Sequence, residues 1–340
     1  VGKQKVIVTG GCGYIGSHTI VDLQQHGFEV ICIDDNSHSR ADMLDGVERI
    51  TGIPVTHLPF NLTDREATLL ALEDHADAIG IIHFAAFKSI PESVAAPLLY
   101  FRNNLDSLYN LLEGMQQYGI PNLVFSSSCS VYGNADALPV SEDTPWQAAE
   151  SPYARTKQIG EQVIRDCSSA MTAHFTLLRY FNPVGAHPSA EIGEVPMGVP
   201  NNLVPFITQT AIGKIRELTI FGGDYPTRDG TCIRDYIHVM DIAHAHTLAL
   251  QYLASGKQKV PCEVFNLGTG IGVSVLEAVQ AFERVSGKKL PYHIGPRRAG
   301  DIIAVYANND KARRELDWET QYSLDDMMRS AWEWEKKMAG

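Results

Sequence analysis

The sequence is short of several things, and each shortage closes off a class of function. Its six cysteines (Cys12, Cys32, Cys129, Cys167, Cys232 and Cys262) include no CxxC pair. Their spacing therefore predicts neither a zinc site nor a disulfide framework, and fits a reducing, cytoplasmic setting. Positive charge is scarce: 28 lysines and arginines stand against 40 acidic residues, a net charge of -12. Such a chain is no general binder of nucleic acid or anionic membrane, and an anionic ligand would need a local basic site. No apolar run approaches the roughly 18 residues of a membrane-spanning helix. The chain opens into a strand pattern where a signal peptide would be apolar and helical. There is no internal repeat and no low-complexity linker. His244 and His246 stand two apart, a spacing that does not share a helical face, so no metal site is expected.

What is present is ordinary for a globular protein: 44% hydrophobic and 20% charged residues over 340 positions, a length that fits two lobes. Lys5-Val6-Ile7-Val8-Thr9 reads as a buried strand running into Gly10-Gly11-Cys12-Gly13-Tyr14-Ile15-Gly16. Ser17 to Gly27 then has helical spacing and stops at a glycine. Strand, glycine turn and helix together form a dinucleotide fingerprint, in which backbone approaches a pyrophosphate stabilised by the helix N-terminus. The spacing is GxxGxxG rather than GxGxxG. The next strand, Phe28 to Ile33, ends at Asp34, placed to take ribose hydroxyls and to repel a 2′-phosphate, which favours NAD over NADP.

Alternation continues with strand Val55 to Leu58, helix Asp64 to His75, strand Ala78 to Ala85, helix Leu98 to Tyr118 and strand Asn122 to Ser126. This predicts an α/β fold, a doubly wound parallel (Rossmann) sheet with ligands at the carboxyl ends of its strands. Asn61, Phe84 to Lys88 and Ser126 to Ser128 lie at those ends. Residues 1-182 are expected to form the NAD-binding domain. Residues 183-340 would form mainly a smaller α+β substrate domain, with some segments returning to the first. Asp241 to Leu253 and Ser274 to Ser286 read as packing helices.

Ser151-Pro152-Tyr153-Ala154-Arg155-Thr156-Lys157 is the stretch around which the chemistry gathers. Ser151 suits an N-cap and Pro152 the first helical position, so Tyr153 and Lys157 fall on one face, one turn apart. A free tyrosine, with a pKa of about 10, is a poor base, but a nearby ammonium or an oxidised nicotinamide favours phenolate. Tyr153 is therefore a candidate general acid/base.

These motifs, with Ser126-Ser127-Ser128 before Val131-Tyr132-Gly133, resemble the extended short-chain dehydrogenase/reductases. Further on, Arg179 to His187, Gly198 to Leu203, Asp229-Gly230-Thr231, Arg234 to Asp241 and Pro296-Arg297-Arg298 closely resemble the UDP-glucose 4-epimerase family within them. The likeness runs from the first strand to near the C-terminus. It implies Ser128, Tyr153 and Lys157 as catalytic residues. It implies NAD held by Gly10, Gly13, Tyr14, Ile15, Gly16, Asp34, Asn61, Phe84, Ala85, Lys88, Asn103 and Tyr180, with Tyr153 and Lys157. The Asn61 side-chain carbonyl would accept from the adenine amine.

For the nucleotide sugar the resemblance implies Asn182, Asn202, Leu203, Arg234 and Arg298 around diphosphate and uridine. Ile220 and Phe221 would line the uracil, Tyr236 and Asp301 would lie close by, and Lys88, Ser128 and Tyr153 would face the sugar. The planar guanidinium fork makes the two arginines physically apt. The implied reaction is 4-epimerisation of UDP-glucose and UDP-galactose through a 4-keto sugar, in a homodimer. Val305 occupies a position where small residues accompany acceptance of UDP-N-acetylhexosamines. The sequence departs from the family pattern at Asp35, His38, Cys129 and Ala299. Another nucleotide-sugar epimerase, a dehydratase or a non-catalytic NAD-binding module are the alternatives. A dehydratase needs an acid pair where Cys129 and Ser130 stand, and a silent module would typically lose Tyr153 or Lys157.

Overall fold

Lys5–Thr9 (β1) is buried from Val6 onward, because a run that is apolar on both faces belongs inside a parallel sheet covered on both sides. Its side chains alternate as the pleat requires. Val6 and Val8 enter one core with Ile20 and Leu23, whereas Ile7 enters the other with Leu72 and Leu111. The computed structural model describes residues 2–198, 200, 202–298 and 301–340. Val199, Asn201, Ala299 and Gly300, within motifs read above, lie outside these.

The other strands of the large sheet are Glu29–Ile33 (β2), Thr56–Leu58 (β3), Gly80–His83 (β4), Asn122–Ser128 (β5), His174–Tyr180 (β6) and a late returning strand, Cys262–Leu267. In space they run Cys262–Leu267, β6, β5, β4, β1, β2, β3, with every pairing parallel. The chain builds outward from β1 to β3, then crosses back to place β4 on the other side of β1. That reversal opens a crevice at the carboxyl ends of β1 and β4, where such sheets bind ligands. This is the doubly wound sheet expected.

Helices Tyr14–Gln25 (α1) and Met43–Thr51 (α2) cover one face, and Arg65–Asp74 (α3) the other. The single helix expected over Leu98 to Tyr118 is instead interrupted. Ile90–Ala95 (α4) and Pro97–Phe101 (α5) lead into a π-helical turn, Arg102–Asp106, before Ser107–Tyr118 (α6). The wider turn shifts the helical phase, as π-bulges near functional sites do. It brings Asn104 inward, 2.8 Å from the Phe87 amide and 3.1 Å from Thr156 Oγ1.

Pro152–Ser168 (α7) packs on the α3 and α6 side. The second lobe is woven from short strands: Asn182–Val184 (β7), Leu218–Phe221 (β8), Ile233–Arg234 (β9) and Tyr236–His238 (β10). Cys262–Leu267 is then β11, followed by Val273–Ser274 (β12), Tyr292–Gly295 (β13) and Ala304–Val305 (β14). β7 pairs with β10, β8 with β13, and β9 lies between β12 and β14. Leu203–Ala211 (α8), Val275–Ser286 (α10) and Leu324–Ala339 (α12) enclose a third core around Ile207, Phe282 and Met328. Val239–Ala254 (α9) and Asp310–Leu316 (α11) return to the large sheet beside α1 and β11.

α7 is fastened to the sheet by an ion pair with no access to water. Arg179 on β6 donates to both oxygens of Glu161 at 2.8 and 2.6 Å, and neither residue is more than 1% exposed. Ser127 Oγ adds a third donor to Glu161 at 2.5 Å. Removing one partner strands a buried charge. Glu161→Gln is therefore expected to lower the unfolding free energy by about 3–5 kcal/mol in urea titration, and a loss below about 1 kcal/mol would mean that the pair does not fasten the helix.

Candidate active site

The glycine turn is shaped by what has no room beside it. Gly10 has φ +70°, and a Cβ there would lie 2.7 Å from the Ala85 amide nitrogen. A Cβ on Gly16 would lie 2.2 Å from the Gly10 carbonyl oxygen. The turn and α1 thus close against the end of β4, with Gly13 as the N-cap residue and Tyr14 and Ile15 opening the helix. Tyr14 also donates to the Gly185 carbonyl at 2.6 Å, tying the helix start to the chain beyond β7. Asp34, at the end of β2, is buried and oriented by three donors: the Cys12 amide (3.0 Å), the Asn36 amide (3.0 Å) and Ser39 Oγ (2.6 Å). A close-approach cradle at a helix N-terminus with a fixed carboxylate one strand away fits a dinucleotide.

Asn61 behaves differently from expectation. Its carbonyl accepts from Thr63 N and Thr63 Oγ1 at 2.8 and 2.7 Å, while its amide donates to Asp35 at 2.5 Å. Both lone pairs serve a local turn, so the carbonyl has none left for an adenine amine. The adjoining Asp35 carboxylate is the acceptor that remains at that edge. Asn103, in the π-helical turn, donates to Asn104 at 3.1 Å. Phe84 packs against His246, and Lys88 stands 3.6 Å from Glu194.

The strand register brings together candidate reacting groups. Ser128 and Tyr180 are register partners at the ends of β5 and β6, and α7 begins beside them. Its cap is the one expected: Ser151 Oγ accepts from the Ala154 amide at 3.2 Å, with Pro152 in the first turn. Lys157 Nζ donates to the Ser126 carbonyl at 2.7 Å and lies 6.0 Å from the centre of the Tyr153 ring. Burial lowers the Lys157 pKa to about 8, against the opposing pull of the Glu161 carboxylate. Tyr180 shares a short hydrogen bond with Ser126 Oγ, and burial pushes its phenol up to about 12.

The protein's own groups do not by themselves favour the phenolate of Tyr153. Burial, reinforced by Tyr180, moves its pKa upward, and the Ser128 hydroxyl only partly offsets this. Lys157 approaches the face of the ring, and burial outweighs any help from its charge. In the free protein Tyr153 is therefore a neutral phenol.

On the facing lobe, Arg234 donates to the Ile302 carbonyl at 2.6 Å and lies 4.0 Å from Asp301. Arg298 donates to the same carboxylate at 2.7 and 3.1 Å and stacks its guanidinium over Phe221, 5.6 Å from the ring centre. Two guanidinium groups on one aspartate form the local basic site that a net-acidic chain would need for an anion. Asn202, the N-cap residue of α8 ahead of Leu203, donates to Glu194 at 2.7 Å. Glu194 thereby holds both Lys88 and Asn202, and an anionic ligand would compete with it for them. Asn182 Oδ1 is buried without a hydrogen-bond partner. Ile220, Tyr236 and Val305 are buried while Phe221 is exposed. Val305 shares a small buried cluster with Val131 and Phe181, against which Cys129 packs.

Three supporting residues escaped the sequence reading. Asn104 binds the Phe87–Lys88 segment to α7 through Thr156, but the π-helical turn hid its direction. Asp235 accepts from Thr269, Gly270 and Ala307 at 2.6–3.1 Å, buckling together the loops that carry Arg234 and Val305. Glu194 had no signal beyond its charge.

A family model described as GDP-mannose 4,6 dehydratase matches residues 7–331. The chain is 48% identical to the UDP-glucose 4-epimerase of Bacillus subtilis (strain 168), over 97% of this chain and 96% of that protein. Among solved structures it is similar to the UDP-glucose 4-epimerase of Stenotrophomonas maltophila with bound NAD and formylated UDP-arabinopyranose, at 46% identity, TM-score 0.95 and 99% of both chains. It is also similar to that of Bifidobacterium longum in complex with NAD+ and UDP, at 41% identity, TM-score 0.93 and 98% of both chains.

The cradle can be tested by filling it. Gly16→Ala is expected to keep less than about a tenth of the NAD that the wild type carries through gel filtration, measured as nucleotide released on denaturation. Equal retention would mean that the turn is not the pyrophosphate site.

Proposed function

The chain belongs to the UDP-glucose 4-epimerase family of extended short-chain dehydrogenase/reductases, and from that premise we propose that it interconverts UDP-glucose and UDP-galactose through a 4-keto sugar, with NAD retained throughout. What supports the reading is Lys157, bonded to the Ser126 carbonyl and facing the Tyr153 ring, at the end of the same parallel sheet whose β1 and β2 lead into the glycine turn and Asp34. NAD, when bound, supplies the hydride acceptor and donor, so no net oxidation occurs. Gly10, Gly13 and Gly16 would take its pyrophosphate and Asp34 its adenosine ribose, with Lys157 at the nicotinamide ribose. Residues 1-182 would carry most of this site and residues 183-340 most of the nucleotide-sugar site.

Tyr153 takes the proton of the sugar 4-hydroxyl, directly or through Ser128, and returns it after the keto sugar has presented its other face. For that a neutral phenol must be brought down in pKa. Positive charge is the remedy for a buried acid, and Lys157 together with an oxidised nicotinamide would supply it. Arg234 and Arg298 hold the diphosphate while the hexose turns, with Asp301 keeping both guanidinium groups in place beforehand. Asn182, whose buried carbonyl oxygen lacks a partner, is suited to accept a sugar hydroxyl. A small Val305 next to Cys129 leaves room for an N-acetyl group, and we extend the proposal to UDP-N-acetylhexosamines.

The family model's dehydratase name does not fit this site. Elimination of water needs an acid pair after Ser128. Cys129 is instead a thiol that burial pushes up to about 12, and Ser130 is a hydroxyl. The exposed Ile90, Val94, Leu98 and Leu99 on α4 and α5 suit a second copy of the chain, and we propose a homodimer. Among the described residues no helix is long and apolar enough to cross a membrane.

Incubation with UDP-galactose, without added cofactor, is expected to yield UDP-glucose. Tyr153→Phe should lose a factor of about 10²–10⁴, the usual worth of a positioned acid/base. No turnover by the wild type, even with NAD supplied, would refute the reading; failure on UDP-N-acetylgalactosamine alone would remove only the Val305 argument. The rate should also fall as the pH rises through about 8, where the buried Lys157 ammonium loses its proton. Since the Glu161 charge raises that pKa, Glu161→Gln should move the alkaline limb to lower pH. A profile flat to pH values of about 10, the range of an unperturbed lysine, would contradict a role for the ammonium.

A further inference from the structure

Apart from the reacting groups, the fold gathers three metal-type ligands that lie far apart in the sequence. Cys12 is in the glycine turn, Cys32 on β2 and His57 on β3, and Cys32 and His57 are register partners across the β2–β3 pair. Cys12 Sγ stands 3.9 Å from Cys32 Sγ and 3.8 Å from His57 Nε2, and donor atoms of all three lie within 4.8 Å of one another. Ligands arranged tetrahedrally about zinc, at about 2.3 Å for sulfur and 2.0–2.1 Å for nitrogen, stand about 3.8 Å (S to S) and about 3.6 Å (S to N) apart. The three side chains are therefore already spaced as a zinc cage. Gly11 keeps that space open, because a Cβ there would meet Cys32 Sγ at 2.6 Å. Both thiols are buried, and His57 is half-exposed and gives the way in.

We propose that Cys12, Cys32 and His57 bind one thiophilic divalent cation of the zinc class, with water in the fourth position. The cation replaces the two thiol protons, which leave to solvent, and the imidazole stays neutral with its proton on Nδ1. The site reports on the dinucleotide cleft. His57 Nε2 lies 3.0 Å from the Asp34 carbonyl oxygen, to which it donates, and the Cys12 amide donates to Asp34 Oδ2 at 3.0 Å. A bound cation takes His57 away from Asp34 and fixes Cys12, so zinc and NAD oppose each other, each weakening the other by the same factor. That coupling rests on Asp34 being the ribose ligand; the cation site does not.

The test uses the full chain, chelator-treated both with its NAD and after the NAD is removed, loaded with zinc or cobalt(II) chloride, gel-filtered and analysed for metal, and uptake is judged on the NAD-free form. The expected result is about one metal per chain, two protons released per zinc, and a thiolate-to-cobalt charge-transfer absorption. Cys32→Ala and His57→Gln should each reduce uptake about tenfold or more, while Asp22→Asn leaves it unchanged. Absence of uptake, or uptake without the thiolate absorption, would overturn the proposal. So would undiminished uptake by Cys32→Ala, which would direct attention to the second cluster, Asp22, His26 and His244. The wild-type cobalt spectrum decides the matter even if a variant does not fold. Turnover of sugar nucleotide is not a readout, so failure here leaves the epimerase reading standing. Equal zinc affinity with and without NAD would overturn the coupling.

Discussion

Glu161 and Arg179 are the pair on which the site depends. One is on α7 and the other on β6, and their bidentate bond, closed by Ser127, sets the helix bearing Tyr153 and Lys157 against the strands bearing Ser128 and Tyr180. A buried pair contributes little net stability compared with apolar packing, but it specifies one arrangement, since any slip leaves a charge without a partner. Arg179 also donates to Tyr132 at 2.9 Å, and Tyr132 donates to Asn266 on β11. The lock therefore reaches from α7 to the returning strand at the edge of the sheet.

Burial that makes this arrangement specific also sets its electrostatics. Tyr153 and Tyr180 are pushed toward the neutral phenol, and Lys157 toward the neutral amine. Each shift has the sign that desolvation dictates. An enclosure with this bias favours a protonated Tyr153 in the absence of added positive charge. Glu161 works against the bias at Lys157, so the pair that positions the helix also keeps the ammonium available. On the opposite lobe Asp301 and Glu194 do the converse, occupying cationic and amide groups that a diphosphate would claim.

The sheet was legible in the sequence because β-branched runs, glycine turns and caps report on local physics. β1, the capped start of α7 and the Asp34 position were all read close to where they stand. Helix ends shifted by a few residues: α1 begins at Tyr14, not Ser17, since the glycine turn itself winds into the helix. Asn104 stayed hidden because a π-helical turn changes which side chains face inward, and periodicity assumes an unbroken helix. Asn61 could not be judged without Thr63 and Asp35 in place around it. At Tyr153 the lysine four residues on is visible in the sequence, whereas the desolvation that opposes a phenolate is not. Cys12, Cys32 and His57 show no ligand spacing along the chain; parallel pairing of β1, β2 and β3 is what brings them together.

The central claim is that burial holds Tyr153 neutral and that positive charge within the cleft releases its proton. It is tested most directly by titrating phenolate absorbance in wild type and Tyr153→Phe, each with and without oxidised NAD. The account predicts no Tyr153 phenolate up to a pH of about 10, the free-tyrosine value, in the nucleotide-free protein, and a transition well below that value once oxidised NAD is bound. A phenolate at neutral pH without nucleotide, or no shift on binding it, would contradict the account.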